Sequence, residues 1–198
     1  MPEALDDAGI HRTIDAFVQA AKRAGRLGIE VIELHMTHGY LVHQFFSPLS
    51  NARADHYGGS LENRMRFGLE LMDAVHAAVP KSTAVGVRIA ASDWMEGGVT
   101  VDEAVTFTAK LKERGAAYAC VSSGGLDPAA QVKAGPNYQV GFADEIKKKT
   151  GITTRAVGMI VSPDQAEEIL EKGQADQIAL ARAFLDNPRW GWHAADAL

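Results

Sequence analysis

Two histidines and a tyrosine in one short stretch carry side chains suited to acid–base chemistry: His35, His38 and Tyr40. An imidazole donates or accepts hydrogen bonds near neutral pH, and a phenol can deliver a proton as a general acid. The two histidines are three residues apart, so on a continuous strand they would face opposite sides of the sheet. A turn directly after Leu34 would instead bring both rings and the phenol together above a strand end. Parallel α/β folds hold their chemistry at that edge, so we predict a site there.

A cation within an apolar segment is the second feature. Arg88 lies in AVGVRIA, which has the composition of a buried strand. A buried guanidinium needs an anionic or carbonyl-rich partner. That partner is either a carboxylate such as Glu33 on the neighbouring strand or a bound ligand, and the sequence alone favours neither.

Two later segments contain residues suited to binding phosphate. In α/β barrels, the loops after the final two strands and a short helix N-terminus commonly bind phosphate. Gly158 follows the fourth predicted strand and would let the backbone approach a phosphate, while Ala181 and Arg182 follow the fifth. The Arg182 guanidinium offers paired donors to phosphate oxygens. With the histidines and Tyr40 at the far side, the arrangement suits a phosphorylated planar cofactor whose reacting group lies beside the phenol.

The sequence disfavours a metal site and a serine or cysteine nucleophile. The spacing His35-x2-His38-x4-His43 could offer three imidazoles to zinc, but no Asp or Glu stands there at ligand spacing, and we predict His43 on an outward turn. No G-x-S-x-G motif occurs. Cys120 is the only cysteine, which excludes an internal disulfide, and its apolar surroundings predict a buried thiol. We predict surface or packing roles for four histidines, namely His43, His56, His76 and His193.

Composition narrows the class of protein. The chain has 198 residues, of which 46% are apolar and 23% charged, as expected of a soluble globular protein. Its net charge of −5 and the lack of a basic block argue against binding to nucleic acid or to an anionic membrane surface. No stretch approaches the ~20 apolar residues of a membrane span, and no signal peptide is visible. A lone cysteine suits the cytosol, so we expect a cytoplasmic protein.

Helices and strands are predicted to alternate along the chain. Five apolar segments are predicted as strands, at 29–34, 84–90, 118–122, 153–157 and 177–180. Amphipathic spacing and capping residues predict helices at 10–24, 61–79, 101–114, 139–149 and 163–172, and at the C-terminal end. Between Tyr40 and Leu61 we expect a polar, aromatic-rich loop. Apolar strands separated by helices predict a parallel sheet covered on both sides.

Two architectures fit this order of elements. Five strands are too few for an eight-stranded α/β barrel, and the chain begins with a helix. It is therefore either a smaller open α/β domain or a barrel that lacks its first three strands. The residues that follow each strand favour the second architecture.

A long segment, HMTHGYLVHQFFSPLSNARADHYGGSLENRMRF, resembles the signature of the Old Yellow Enzyme family, the FMN-dependent NAD(P)H:flavin oxidoreductases and ene-reductases. Further matches lie in VGVRIAASDWMEGG, CVSSGG, GPNYQVGFADEIKKKTGI, RAVGMI and QIALARAFLDNPRW. The resemblance covers roughly residues 10–192 and is closest to the thermophilic-like subgroup. It implies a TIM-type (β/α) barrel with FMN at its C-terminal mouth. Residues 1–198 would then form one partial barrel domain of about five βα units, without the first three strands.

The resemblance implies a role for each candidate residue near the substrate. His35 and His38 resemble the pair that hydrogen-bonds a substrate carbonyl oxygen and so stabilises developing enolate charge. Tyr40 resembles the general acid that delivers a proton to the α-carbon. The reaction implied is reduction of FMN by NADPH or NADH, followed by reduction of an activated C=C bond.

The resemblance also implies contacts to the cofactor. Arg88 resembles the cation beside the pyrimidine edge of the flavin, where negative charge collects on reduction. Gly158 and Arg182 resemble contacts of the FMN phosphate. Ala181 stands beside the phosphate position, where the family usually has glycine.

Three functions remain open at this point. The first is an FMN oxidoreductase that acts on α,β-unsaturated carbonyl compounds. The second is an inactive or partner-dependent half-barrel that serves as an assembly module, because an apolar inner face and two unpaired edges would need a second copy or a complementing N-terminal half-barrel. The third, a phosphate-binding lyase or isomerase using Arg182 and Tyr40, is disfavoured by the segment His35–Asn63.

Overall fold

Five parallel strands form one sheet in the computed structural model, which describes residues 3–198. The strands are β1 (Val31–Met36), β2 (Ala84–Ala90), β3 (Tyr118–Ser122), β4 (Thr153–Ala156) and β5 (Gln177–Ile178). The helices are α1 (Asp7–Arg26), α2 (Leu41–Phe46), α3 (Leu61–Ala78), α4 (Val101–Glu113), α5 (Val140–Thr150), α6 (Pro163–Glu171), α7 (Arg182–Asp186) and α8 (Trp190–Ala197). The predicted alternation is confirmed, because a helix follows each strand.

The strands lie in the sheet in the same order as in the chain, and every neighbouring pair is parallel. Each crossover therefore steps in the same direction, and right-handed crossovers then place the helices on one face. This is the arrangement of a barrel wall rather than of a doubly wound sheet, in which the strand order reverses. The prediction of a sheet covered on both sides is therefore wrong, since the helices that connect the strands pack against the outer face.

The outer face of the sheet supplies the hydrophobic core. Alternate strand residues such as Leu34, Val87 and Val121 are buried on this face and pack against the helices. Phe67 and Phe107, from α3 and α4, are among the largest fully buried side chains of that core. The core thus fixes the wall from outside and leaves the carboxyl ends of the strands free to carry a site.

The starts of the helices follow from capping residues that the sequence already shows. The Ser60 side chain accepts from the backbone N–H of Asn63 at the start of α3. At α4, Thr100 and Glu103 form the predicted capping box, which satisfies backbone donors that the first turn would otherwise leave unpaired. Across residues 3–198, none of the helices combines the length and the apolar character that crossing a bilayer requires.

The first strand and the segment after it differ from the prediction. β1 runs two residues past Leu34, because its pairing with β2 continues through His35 opposite Arg88 and Met36 opposite Ile89. The predicted loop after Tyr40 opens with the short helix α2. Its sequence LVHQFF has apolar residues at helical spacing, but six residues are too few to be distinguished from an apolar loop by periodicity alone.

The inner face of the sheet is polar, contrary to the expected apolar face. Glu33 on β1 forms an ion pair with Arg155 on β4, with 3.0 Å between Oε2 and Nη1. The Arg155 guanidinium also lies 4.2 Å from the centre of the Tyr118 ring, and its Nε donates to Gln177. In a flat sheet, three strand spacings of ~4.8 Å would separate β1 from β4, so the ion pair shows that the wall is curved.

Gly86 makes room for the Tyr118 ring on this inner face. A Cβ at Gly86 would lie 2.2 Å from ring carbons of Tyr118. We predict that Gly86→Ala lowers the free energy of unfolding by about 1–3 kcal/mol, the usual cost of overpacking, measured by urea denaturation. The loss should shrink in a Tyr118→Leu background, because the smaller side chain leaves the methyl group space. As a control, Gly141→Ala in α5 adds a Cβ that meets nothing within 4 Å and should not destabilise the fold. Equal losses for the two glycine variants would contradict this account of Gly86.

Candidate active site

A cleft of about 720 Å³ opens at the carboxyl ends of the strands. Its volume lies within the ~300–1,000 Å³ typical of small-molecule and cofactor sites. Five of the residues predicted for the site line the cleft, namely His38, Arg88, Gly158, Ala181 and Arg182. They come from segments far apart in the sequence, and the parallel strand order brings them to one edge.

His35, His38 and Tyr40 converge, although the turn comes later than predicted. The ring centres of His35 and His38 are 5.3 Å apart, and those of His35 and Tyr40 are 5.1 Å apart. His35 projects from β1 itself, and the chain then reverses through left-handed backbone at His38 (φ 57°) and Gly39 (φ 75°). This reversal returns the second imidazole to the same side as the first. The Tyr40 side chain is 63% exposed and is therefore accessible to a substrate.

Hydroxyl and amide groups that the sequence reasoning passed over hold the His38 ring. The Ser122 hydroxyl lies 2.7 Å from His38 Nε2 and 3.2 Å from Gln139 Oε1. The Gln139 amide accepts from Ser123 Oγ at 2.6 Å and donates to the Val157 carbonyl, which fixes its orientation. Ser122, Ser123 and Gln139 are buried, so the segment after β3 supports the site from within the fold. The sequence did contain one sign of these supporting residues, namely two hydroxyl side chains directly after a buried strand.

Burial keeps both site imidazoles uncharged near neutral pH. Desolvation is the main cause that lowers the pKa of His38 to about 4, and the neighbouring Arg88 cation lowers it further. The pKa of His35 is lowered for the same two reasons in the same order. A neutral imidazole retains one N–H donor, so the pair can hydrogen-bond a carbonyl oxygen without bringing a second and third positive charge beside Arg88.

Arg88 does not pair with the carboxylate that the sequence offered as its partner. Glu33 pairs with Arg155 instead, and the structure shows no ion pair of Arg88 with any of residues 3–198. Its Nε is buried and has no hydrogen-bond partner, and the same is true of His35 Nε2. Unsatisfied buried polar atoms are costly, and these two are free to hydrogen-bond a ligand.

The other end of the cleft has the features expected where the backbone lies close to a ligand. Gly158 is buried with φ 127°, a region that favours glycine, and a Cβ there would lie 3.0 Å from the Tyr138 ring and from Gln139 Nε2. Ala181 and Arg182 stand at the start of α7 and are exposed. Arg182 forms no ion pair within residues 3–198, so its guanidinium is available to an anion.

His43 is not on an outward turn, and that prediction is wrong. It lies on the buried face of α2 with Val42 and Phe46, and its exposed fraction is 0%. Its Nε2 lies 2.7 Å from Oδ1 of Asp93, and its Nδ1 accepts from the Gly39 backbone N–H at 3.0 Å. The apolar spacing of LVHQFF could have indicated burial, but the partner lies 50 residues away in sequence.

Other side chains with reactive potential lie where the sequence indicated. The remaining histidines outside the site that were expected at the surface, His56, His76 and His193, are exposed. Cys120 is buried, and burial raises the pKa of its thiol to about 11, so it stays protonated and unreactive. Within residues 3–198, no group of three or more His, Cys, Asp or Glu side chains is placed to bind a metal ion.

Asp93 is the most buried acid of the site region. Burial alone would raise the pKa of its carboxyl, but hydrogen bonds from His43, Ser47 and the Val99 backbone N–H outweigh this effect and lower it. Ser47 Oγ donates to Oδ2 at 2.6 Å, and the Val99 N–H donates to the same oxygen at 2.8 Å. The carboxylate is therefore charged at neutral pH and holds three donors around it.

We predict that the His38 ring titrates with a midpoint near pH 4 rather than 6.5 when followed by NMR. In the unfolded chain the imidazole binds a proton below about pH 6.5, whereas in the folded chain it does so only below about 4. Stability should therefore fall as the pH drops through this window, because the unfolded state binds the proton first. Arg88→Met should raise the His38 midpoint, since it removes a nearby positive charge. A midpoint near 6.5 in the unmodified chain would contradict the burial of this ring.

Comparison with known proteins places these features in context. A model of the NADH:flavin oxidoreductase / NADH oxidase family matches residues 1–198. An NADPH dehydrogenase of Geobacillus sp. (strain WCH70) is 46% identical over 197 residues, which cover 100% of this chain and 57% of that protein. An NADPH dehydrogenase of Bacillus subtilis (strain 168) is 41% identical with the same coverage. The chain therefore spans little more than half the length of these curated relatives.

Solved structures resemble this chain in fold as well as in sequence. Morphinone reductase is 29% identical and superposes with a TM-score of 0.81 over 100% of this chain and 52% of its own. A 2-naphthoyl-CoA reductase in complex with 2-naphthoyl-CoA is 26% identical, with a TM-score of 0.89 over 98% of this chain and 30% of its own. The sequence resemblance to the Old Yellow Enzymes is thus confirmed, and the fold is a TIM-type parallel barrel truncated to five βα units. The chain belongs to the NADH:flavin oxidoreductase / NADH oxidase family.

Proposed function

We propose that this chain carries the FMN-binding and substrate-reducing side of an NAD(P)H oxidoreductase that reduces activated C=C bonds. The observation that carries the proposal is the cleft, which is lined by Arg88 with its unpaired Nε, by Gly158, by Arg182 and by His38. The rings of His35 and Tyr40 lie next to His38 at its edge. Family membership and the relatives' names as NADPH dehydrogenases support the same reaction class.

The residues present fit FMN at both ends of the cofactor. Arg182 would pair with the phosphate, and Gly158 would let the backbone lie against it. Ala181, beside this position, adds a single methyl group. Arg88 would lie at the flavin ring, where its unsatisfied Nε finds an acceptor and its charge stabilises the anionic reduced form. The chemistry that FMN supplies when bound is hydride transfer, from NADPH or NADH and then to an activated C=C bond.

The histidine pair and Tyr40 suit an α,β-unsaturated carbonyl substrate. His35 has a buried Nε2 without a partner, which could donate to the carbonyl oxygen. His38 can do the same if the Ser122 hydroxyl turns away from Gln139 Oε1, which still accepts from Ser123, and donates to His38 Nε2, so that the ring proton resides on Nδ1. Both bonds strengthen as enolate charge develops on that oxygen. The exposed Tyr40 phenol, packed against His35, would then deliver the proton to the α-carbon.

The unpaired edges of the sheet suggest a requirement for activity. Within residues 3–198, β1 and β5 each pair with one strand only. Unpaired edges of this kind are normally covered in a folded protein. We therefore propose that full activity involves strands beyond those described here, supplied by a second copy or by a complementing N-terminal half-barrel.

The proposed phosphate contact can be tested by titrating the purified chain with FMN and following the quenching of flavin fluorescence. Arg182→Ala should weaken binding by about 10- to 100-fold, the value of a charge-assisted hydrogen bond of ~1.5–3 kcal/mol. Arg114→Ala is the control, because this partly exposed arginine at the C-terminal end of α4 pairs with Asp73 of α3 and does not line the cleft. Equal affinity of the two variants would remove Arg182 from the cofactor site.

Tyr40→Phe tests the proposed general acid. We expect the rate of reduction of a cyclic enone to fall by about 10²–10⁴-fold, the usual contribution of general acid catalysis. FMN affinity should stay unchanged, because the phenol lies with the histidines rather than with Gly158 and Arg182. Steady-state rates, together with stopped-flow measurement of flavin reduction by NADPH, would separate the two steps. An unchanged rate of enone reduction would exclude Tyr40 as the proton donor.

A further inference from the structure

A buried chain of hydrogen bonds ends on the backbone between His38 and Tyr40. The Gly39 N–H donates to His43 Nδ1 at 3.0 Å, so this nitrogen carries no proton. The ring proton therefore resides on Nε2 and is donated to Asp93 Oδ1 at 2.7 Å. The second carboxylate oxygen accepts from Ser47 and Val99. The side chains of His43 and Asp93 have no exposed surface.

Only one arrangement of protons satisfies this chain. A backbone N–H donates and cannot accept, so the donors at Gly39 and Val99 fix both ends. Between them, His43 must accept on Nδ1 and donate on Nε2, and Asp93 must accept on both oxygens. An ionised carboxylate carries no proton to donate, so Asp93 can accept from all three donors that face it.

The turn that this chain holds is unusual backbone. His38 and Gly39 both adopt positive φ, a conformation that costs free energy at a non-glycine residue. Gly39 also lies tightly against the loop after β3, since a Cβ on it would be 2.5 Å from the Gly125 carbonyl oxygen. The hydrogen bond to His43 thus holds Gly39 from one side while Gly125 confines it from the other.

We infer that Asp93 and His43 are positioning residues for the reaction, because their hydrogen-bond chain holds the Gly39 turn and thereby sets where the His38 imidazole and the Tyr40 phenol stand. The inference rests on the function proposed above for those two side chains. Neither Asp93 nor His43 lines the cleft, so each acts through the backbone of Gly39.

Asp93→Asn tests the proton arrangement with an almost isosteric change. If the amide oxygen faces Ser47 and Val99, its NH₂ group faces His43 Nε2 and forces the ring proton onto Nδ1, where it opposes the Gly39 N–H. If the amide is flipped, its NH₂ group opposes the Val99 N–H. The amide oxygen accepts from Ser47 and Val99 in the first arrangement but from His43 alone in the second, so we expect the first, in which His43 changes tautomer and the bond to Gly39 is lost.

Three measurements on this variant separate positioning from general stability. ¹⁵N NMR of the imidazole should show His43 protonated on Nε2 in the unmodified chain and on Nδ1 in Asp93→Asn. The Gly39 amide should exchange with solvent at least about tenfold faster in the variant, since it loses its acceptor. The turnover number for cyclic enone reduction should fall by about 10- to 100-fold, the scale of a displacement near ~1 Å, while FMN affinity stays unchanged.

Asp176→Asn is the matched control. Asp176 also accepts a backbone N–H, from Thr154, and pairs with Lys147, but it lies at the opposite end of the sheet. It should leave the His43 tautomer, the Gly39 exchange rate and the turnover number as they are. Equal loss of turnover in both Asn variants would reduce Asp93 to a stability role and overturn the inference.

A pair of His43 variants decides the question if Asp93→Asn does not fold. His43→Gln offers an amide oxygen to Gly39 and an amide N–H to Asp93, so it should retain most of the turnover and the Gly39 protection. His43→Leu offers neither group and should lose both. Similar turnover and similar Gly39 exchange in the two variants would overturn the inference.

The experiments distinguish a failure of the proposed function from a failure of this inference. If the unmodified chain binds no FMN or reduces no enone, the proposed function fails, and the tautomer and Gly39 exchange still report on the hydrogen-bond chain. If His43 keeps its proton on Nε2 in Asp93→Asn and Gly39 stays protected, the inference fails whatever the activity. A tautomer change with faster Gly39 exchange and slower turnover supports both.

Discussion

Parallel register is the constraint on which the rest of this structure depends. His35 lies opposite Arg88, Arg88 opposite Cys120, and Cys120 opposite Arg155, so one row of side chains crosses the inner face. Because each strand runs in the same direction, the segment after it reaches the same edge. His38 and Arg182 therefore line the same cleft although 144 residues separate them in the chain. A slip of one residue in any pair would turn its site residue toward the outer core.

The sequence anticipated those parts of the fold that depend on local signals. Caps such as Thr100 and Ser162 mark helix starts because the unpaired N–H groups lie within three residues of them. The end of β1 could not be located in this way, since it is set by pairing with Ile89 rather than by the residues after Leu34. The misplacement of His43 has the same origin. Its burial depends on a carboxylate 50 residues away, and a single histidine on a six-residue helix gives no local sign of such a partner.

The candidate site combines a permanent cation with two imidazoles that burial keeps neutral. Arg88 lowers the pKa of its histidine neighbours, and their neutrality in turn leaves the guanidinium as the positive charge at the centre of the cleft. Residue types alone predicted the members of this group and their meeting point. They did not predict the support beneath them, in which Ser122 and Gln139 hold one ring. Hydroxyl and amide side chains are common in loops, so only the fold reveals which of them reach a functional group.

The ion pair between Glu33 and Arg155 affects whether an open barrel wall aggregates. An inner face of hydrocarbon would drive an open wall to aggregate, because apolar surface leaves water readily. Here the inner face carries the charges of Glu33 and Arg155, whose side chains are about a quarter exposed, and the exposed amide of Gln177. The open wall therefore presents a polar rather than an apolar surface on this face. Any segment that packed against this face would dehydrate Glu33 and Arg155, so a segment with matching polar groups would be favoured over an apolar one.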